Sequence, residues 1–175
     1  MTIQNYLLIG ISIVAAAVFL AAIALPSSVR VVRSTIINAQ PDSVYELVSS
    51  TQGFQRFNPY CDTDPNLMIT TFGPAQGVGA GFRFAGKEGK GSQTNSLLEN
   101  NRRAVMKIDL GAMGQCRYEF DLKVADGGTK VTWAMAADFG FNPIFRIVGL
   151  FMDKLLGKTI ERGLANLSKV TLQSA

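Results

Sequence analysis

CRYEFDLKVADGGTKVTWAMAA, residues 116–137, is the stretch that decides the fold. From Cys116 to Val124 every second residue is apolar, and each residue between them is charged. Because the side chains of a strand point alternately to its two faces, this pattern predicts a strand with one packed and one solvated face. Asp126-Gly127-Gly128 predicts a tight turn, and the alternation from Val131 to Ala137 predicts a second strand beside the first.

Segments on both sides continue this β-branched or alternating pattern. They predict strands over residues 29–38, 67–72, 82–85, 91–99 and 106–110. Residues 41–50 predict a short helix, since Val44, Leu47 and Val48 fall on one helical face. The turn-rich residues 53–65 predict a second short helix or turn that leads into an ordered loop.

The chain ends in a predicted long amphipathic helix. Asn142 suits its N-cap and Pro143 its first position. Apolar residues then recur at steps of four and three, namely Val148, Met152, Leu156, Ile160, Leu164 and Leu167. Gly149, Gly157 and Gly163 are costly inside a helix, which predicts a close approach at each. The fold class is therefore α+β: a curved antiparallel sheet wrapped around a long C-terminal helix, so that each buries its apolar face.

The N-terminal stretch predicts one transmembrane helix. No Asp, Glu, Lys or Arg precedes Arg30, and Tyr6–Leu25 is apolar over a length that would span about 30 Å as a helix. We therefore assign residues 1–27 to a membrane anchor and residues 28–175 to one globular domain. A cleaved signal peptide is the first alternative, although the basic N-terminal region is missing and the apolar run is too long. A buried core helix is the second, although the stretch lacks a polar face.

The orientation prediction depends on two arginines. Arg30 and Arg33 follow the predicted span and no basic residue precedes it, so the positive-inside rule places the domain in the cytoplasm. A periplasmic domain is the alternative, and the sequence leaves the oligomeric state open.

The composition excludes several kinds of active site. The 175 residues contain no histidine, which removes His-ligated zinc, His-dependent nucleophiles and an imidazole base. Cys61 and Cys116 are too far apart for a C-x-x-C redox pair or a thiolate zinc cage. Glycine-rich residues 77–81 precede a strand instead of a helix, and residues 86–92 lack the phosphate-loop spacing. We expect no metal and no cofactor.

The net charge of +4 bears on possible partners. Lysines and arginines are scattered singly, without a basic stripe between stacking aromatics, so we expect no nucleic-acid binding. On a membrane-tethered domain the surplus charge would attract anionic lipid headgroups.

Four stretches carry a family resemblance. INAQPDSVYELVSSTQGFQRFNPY (37–60), GPAQGVGAGFRFAG (73–86), GGTKVTWAM (127–135) and GFNPIFRIVGLFMDKLLGKTIERGLANL (140–167) resemble the SRPBCC superfamily, in particular its polyketide cyclase/dehydrase-like proteins. These are relatives of the START lipid-transfer and birch-pollen-allergen folds. The resemblance covers nearly all of residues 28–172 and implies a START-like helix-grip fold with a deep apolar cavity between sheet and C-terminal helix. It identifies no reaction, and we transfer no catalytic residue from it.

Large apolar side chains on one predicted face, with neighbours on the adjoining loop and helix, are the candidate site for a hydrophobic small molecule. They are Phe57, Tyr60, Phe82, Phe84, Met106, Tyr118, Phe120, Trp133, Met135, Phe151, Met152 and Leu155. Phe57 and Tyr60 are suited to form a lid, as are Phe151 and Leu155. The alternative interpretation is that these residues only fill a core.

Carboxylates are the main acid–base candidates in a chain without histidine. Asp109, Glu119 and Asp121 fall on the predicted wet face and are expected to be solvated. Asp138, near a strand end, is the one acid that we consider as a buried base.

Three hypotheses for the function follow. The first is a membrane-anchored, non-catalytic binding module for a lipid-like or aromatic apolar molecule. The second is a cyclase- or dehydratase-type enzyme acting on a polyketide-like or other apolar substrate. The third is a ligand-free structural domain next to the membrane.

Overall fold

Seven strands form one antiparallel sheet in a computed structural model that describes residues 3–174, except for the side chains at positions 3, 7, 14, 15, 22 and 174. The sheet order is β1-β7-β6-β5-β4-β3-β2. The strands are β1 (Ser28–Ile37), β2 (Met68–Phe72), β3 (Gly81–Gly86), β4 (Gly89–Glu99), β5 (Arg103–Asp109), β6 (Gln115–Ala125) and β7 (Gly128–Asp138). The helices are α1 (Ile3–Ala24), α2 (Pro41–Ser49), α3 (Thr51–Phe57), α4 (Pro143–Gly149) and α5 (Met152–Ser174).

The predicted fold class is confirmed: an antiparallel sheet holds a long C-terminal helix in a helix-grip arrangement. The strand pair β6–β7 is the hairpin expected from residues 116–137, with Phe120 opposite Trp133 and Tyr118 opposite Met135. Gly127 and Gly128 close it with φ values of +84° and +132°, a region that favours glycine.

The predicted close approaches to α5 occur at two glycines. A Cβ atom at Gly163 would overlap the indole ring of Trp133, and one at Gly157 would overlap the guanidinium of Arg33 on β1. Arg33 also ties α5 to β1, since its guanidinium lies 2.8 Å from Asp153 and 2.7 Å from Glu161. Helix α5 therefore lies directly against β1 and β7, with Ile160, Leu164 and Leu167 buried beneath it. We call the sheet face that it covers the inner face.

The C-terminal helix differs from the prediction in being two helices. Asn142 caps the first as expected, because its side chain accepts hydrogen bonds from the Ile144 and Phe145 amides. Leu150 and Phe151 separate α4 from α5, in a turn tightened by bonds from each amide to the carbonyl three residues earlier. Gly149 just before this turn lies against the Phe139 ring, where a Cβ atom would be 2.7 Å from a ring carbon.

Arg146 of α4 is buried, although the sequence places it off the apolar stripe. Its guanidinium donates to the Ile23 carbonyl, to the Leu25 carbonyl at 3.0 Å and to the Gly140 carbonyl at 2.8 Å. The last turn of a helix leaves carbonyls without partners, and its dipole favours a cation there. Arg146 therefore caps the C-terminal end of α1 and attaches that end to α4.

Glu119 corrects another expectation, because it is buried on the outer face of the sheet instead of solvated. Its carboxylate lies 2.8 Å from Arg30, 2.7 Å from Arg117 and 3.4 Å from Arg103, on three different strands. Burial alone raises the pKa of this carboxyl, but hydrogen bonds from Arg30 and Arg117 outweigh it and hold the pKa below its ordinary value.

Replacing Glu119 by Gln should destabilise the fold by roughly 2–3 kcal/mol at neutral pH, because charge-assisted hydrogen bonds are lost and three guanidinium groups are left facing one another. The lowered pKa gives a stability contribution that is complete above the ordinary glutamate value of about 4.3 and is lost as pH falls through the folded value. Glu119→Gln should therefore also flatten the acid limb of the stability curve. Urea unfolding of the detergent-solubilised chain across pH measures both effects, with exposed Glu46→Gln as the control; equal curves for the two variants would refute this account.

Replacing Gly163 by Leu should cost about 1–3 kcal/mol, because the new side chain has to displace Trp133 or push α5 off the sheet. Ala165→Leu is the matched control, since Ala165 is exposed on the same helix. Thermal unfolding followed by Trp133 fluorescence compares the two, and an unchanged transition for the Gly163 variant would contradict this packing.

Candidate functional site

Trp133 lies at the centre of an aromatic cluster on the inner face. Its ring centroid is 4.6 Å from that of Phe120 and 5.2 Å from that of Tyr118. Phe54 and Phe57 of α3 approach it edge-on, each at 6.1 Å. The strands supply Trp133, Phe120 and Tyr118 through their alternation, and α3 closes the cluster from the loop side.

Most of the predicted site residues come together around this cluster. Phe82 extends it through Phe54 at 5.8 Å, and Phe84 follows at 6.3 Å from Phe82. The other predicted strand residues that join the same buried core are Met106, Tyr118, Phe120, Trp133 and Met135. Phe57 belongs to the centre of the core with 1% exposure, so the interpretation of Phe57 as a lid is wrong.

The two other lid candidates lie elsewhere. Phe151 and Leu155 are 56% and 60% exposed, and they stand outside the core cluster. Met152, between them, is half-buried and packs against the core. The helical spacing therefore correctly predicts that Met152 lies on the packed face of the helix, whereas Phe151 and Leu155 lie on its exposed side.

A pair of tyrosine hydroxyls is the main polar feature of the inner face. The Oη atoms of Tyr60 and Tyr118 lie 3.2 Å apart. Burial is the main cause that raises the pKa of Tyr118 well above its ordinary value, and the neighbouring Tyr60 raises it further. Burial also raises the pKa of Tyr60. Both groups stay protonated at neutral pH. Since one hydroxyl donates to the other, the pair keeps one O–H that can donate to a bound molecule.

The sequence pattern did not predict that the side-chain amides of Gln93 and Asn95 are buried. Gln93 stands opposite Phe82 and Ile108, and Asn95 stands opposite Met106, so both belong to the inner face. The Asn95 amide is engaged, donating to the Ser49 carbonyl at 2.8 Å. Their strand, β4, is polar on both faces, and its composition therefore carries no signal for which residues point inward.

The inner face is less covered toward the end at which β1 begins. Across its middle, Val31, Met135, Tyr118 and Met106 form a cross-strand row that is buried throughout. The adjacent row is half-buried at its β1 end, where it contains Val29, Ala137 and Cys116. Burial nevertheless raises the pKa of the Cys116 thiol to about 11, so it is uncharged. We call this half-buried row the open end of the inner face.

The acid–base expectation for Asp138 is wrong. Asp138 is exposed, and its Oδ1 accepts a hydrogen bond from the Gly140 amide at 2.8 Å. Among the described residues the one buried carboxylate is Glu119, on the opposite face of the sheet. No group of three His, Cys, Asp or Glu side chains suited to a metal ion occurs in the part of the chain that the structure describes.

A family model described as polyketide cyclase / dehydrase and lipid transport matches residues 28–171. No curated protein matches the sequence significantly.

Solved structures with the same fold share little sequence with this chain. A Staphylococcus aureus protein of unknown function has a TM-score of 0.64 and 14% identity, over 84% of this chain and 95% of its own. The di-domain ARO/CYC StfQ from the steffimycin biosynthetic pathway has a TM-score of 0.62 and 9% identity, over 84% of this chain and 51% of its own. Ara h 8.0201 has a TM-score of 0.62 and 12% identity, over 83% and 99%. At these identities the likeness establishes the fold alone.

The tyrosine pair should make the fold sensitive to alkali. Because the folded chain holds the Tyr118 proton more tightly than the unfolded chain, this stability contribution is complete below the ordinary tyrosine pKa of about 10 and is lost as pH rises through the higher folded value. Tyr118→Phe should remove the last phase of a spectrophotometric phenolate titration and weaken the alkaline loss of stability. Tyr45→Phe in α2 is the control, because Tyr45 is only half-buried, and a last phase that survives in Tyr118→Phe would contradict the assignment.

Proposed function

Because the chain belongs to the polyketide cyclase / dehydrase and lipid transport family, we propose that residues 28–174 bind a hydrophobic, lipid-like or aromatic small molecule between the inner face and α5. We propose further that α1 anchors this module in a membrane. The protein then acts as a tethered holder or carrier of its ligand and not as a catalyst.

The single observation that carries this proposal is the open end of the inner face. Val29, Ala137 and Cys116 continue the apolar rows of the core and pack against it, and each keeps part of its surface exposed. The Tyr60–Tyr118 pair lies beside Cys116 in the neighbouring row and retains one free donor. An apolar body with one hydrogen-bond acceptor fits this arrangement.

The energetics of such binding are sufficient. Burying about 500 Å² of apolar ligand surface contributes about 12 kcal/mol at about 25 cal/mol per Å². Association costs at least about 4 kcal/mol, which leaves at most about 8 kcal/mol and a dissociation constant no tighter than about micromolar.

The anchor is supported by α1 itself. The helix is long and apolar enough to cross a bilayer, and the described part of its length has exposed apolar side chains, among them Leu8, Ile13 and Phe19. A signal sequence would meet the same criteria, and the intact mass of the mature chain distinguishes the two. We propose the cytoplasmic side for the domain, from Arg30 and Arg33 after the span; the periplasmic side is the alternative.

A cyclase-type activity is a second candidate function, because a solved ARO/CYC structure has the same fold. The side chains favour binding over this candidate. A general base near neutral pH needs a pKa near the working pH, whereas burial keeps the pKa of Tyr118 and Tyr60 above the ordinary tyrosine value. Within the described chain, the inner face supplies no buried carboxylate in their place.

Filling the open end should weaken binding. Cys116→Trp places a large ring on the inner face at that end, and should lower the binding of the apolar fluorophore N-phenyl-1-naphthylamine at least tenfold. Val124→Trp is the matched control, since Val124 lies on the same strand and face but is 80% exposed at the other end. Native mass spectrometry of the chains, titrated with the fluorophore and stripped of detergent in the gas phase, gives the bound fraction and also shows any co-purifying molecule. Equal affinity in both variants, or no binding by the unmodified chain, would refute the proposal.

A further inference from the structure

A dense patch of exposed apolar side chains surrounds α4. On the surface of a soluble protein, exposed apolar residues are usually scattered singly, whereas here they are concentrated in one short segment. We call this segment, residues 141–155, the apolar collar. Its exposed members are Phe141, Ile144, Ile147, Val148, Leu150, Phe151 and Leu155.

The collar is attached to the C-terminal end of α1. Arg146 caps the last turn of α1 from inside the collar, through the Ile23 and Leu25 carbonyls. The residue pair Phe139–Ser27 adds a backbone hydrogen bond of 2.7 Å between the chain before the collar and the α1–β1 connection. A membrane crossed by α1 would therefore end at the level of the collar, because both are held at the same place.

The charges around the collar suit a lipid surface. Lys154 and Lys158 are exposed on the first turns of α5, and Asp153, the one acid of residues 141–158, is paired with Arg33. Apolar and aromatic side chains beside lysines are the composition of segments that lie in the membrane–water interface.

We propose that the apolar collar lies in the interfacial layer of the membrane that α1 crosses, in contact with lipid. Ser28 and Asp138 pair where β1 begins and β7 ends, at the open end. Ser28 lies four residues after the end of α1, and Asp138 lies three residues before the collar, so the open end faces the same lipid layer. The ligand then enters from the bilayer. This inference rests on the proposed membrane anchor, but not on the identity of any ligand.

Site-directed spin labelling of the full chain tests the collar. Nitroxides at Phe151→Cys and Leu155→Cys, in a Cys61→Ser/Cys116→Ser background, are compared in nanodiscs of phosphatidylcholine and phosphatidylglycerol. Collision with oxygen reports lipid, and collision with a water-soluble nickel chelate reports water. We expect oxygen-to-nickel ratios at both collar sites severalfold higher than at Val124→Cys, an exposed apolar position at the far end of β6.

A label at Phe19→Cys in α1 separates the two proposals. If the label at position 19 lies in lipid while those at 151 and 155 match the label at 124, the anchor stands and the collar proposal fails. If position 19 also reports water, the anchor itself fails. Strong dipolar coupling between collar labels would show that a second copy of the chain covers the collar, and would likewise overturn the proposal. Thermal unfolding of each labelled chain verifies that it is folded.

Discussion

The contact between Trp133 and the backbone of Gly163 sets the distance between α5 and the sheet. With no side chain at position 163, the helix lies directly on the indole ring, and any larger residue would lift it. Arg33, bound to Asp153 and Glu161, fixes the rotation and tilt of the helix over β1. The row at Val29, Ala137 and Cys116 is covered less completely than the neighbouring row at Val31, Met135 and Tyr118.

Apart from Arg33, which pairs with Asp153 and Glu161 of α5, the charged clusters described above lie away from the inner face. Glu119 and its three arginines occupy the outer face, and Arg146 uses backbone carbonyls at the end of α1. Buried charges are tolerated only with partners, and these partners all lie away from the inner face. The inner face is otherwise mainly aromatic, aliphatic and sulfur-containing, and its polar groups are uncharged, namely the Tyr60–Tyr118 hydroxyls, the Trp133 indole N–H and the amides of Gln93 and Asn95. The division favours recognition of an apolar molecule over proton transfer.

The predictable part of the molecule is the part that depends on local periodicity. Alternation from Cys116 to Val124 is enough to assign the strand, its inward face and its partner, because one face meets the core and the other meets water. Glu119 follows the same alternation, and its outward direction was correct. Its burial was not predictable, because it is covered by Arg30 and Arg103 from strands that are neighbours only after folding. The burial of Gln93 and Arg146 was not predictable for a similar reason. A polar strand has no apolar alternation to show which residues point inward, and Arg146 caps a helix that is distant in the sequence.

A carrier of apolar molecules gains from an entrance at the membrane for a simple physical reason. An apolar ligand partitions into lipid, and its concentration in water is low. An entrance open to water would therefore require the ligand to cross a phase in which it is poorly soluble. In this chain α1, the apolar collar and the open end of the inner face are consecutive or hydrogen-bonded parts of one assembly, joined through Ser27, Phe139 and Arg146. Such a connection needs no separate docking event. In the proposed arrangement α1 would fix the position of the entrance at the bilayer, and the ligand would exchange one apolar environment for another.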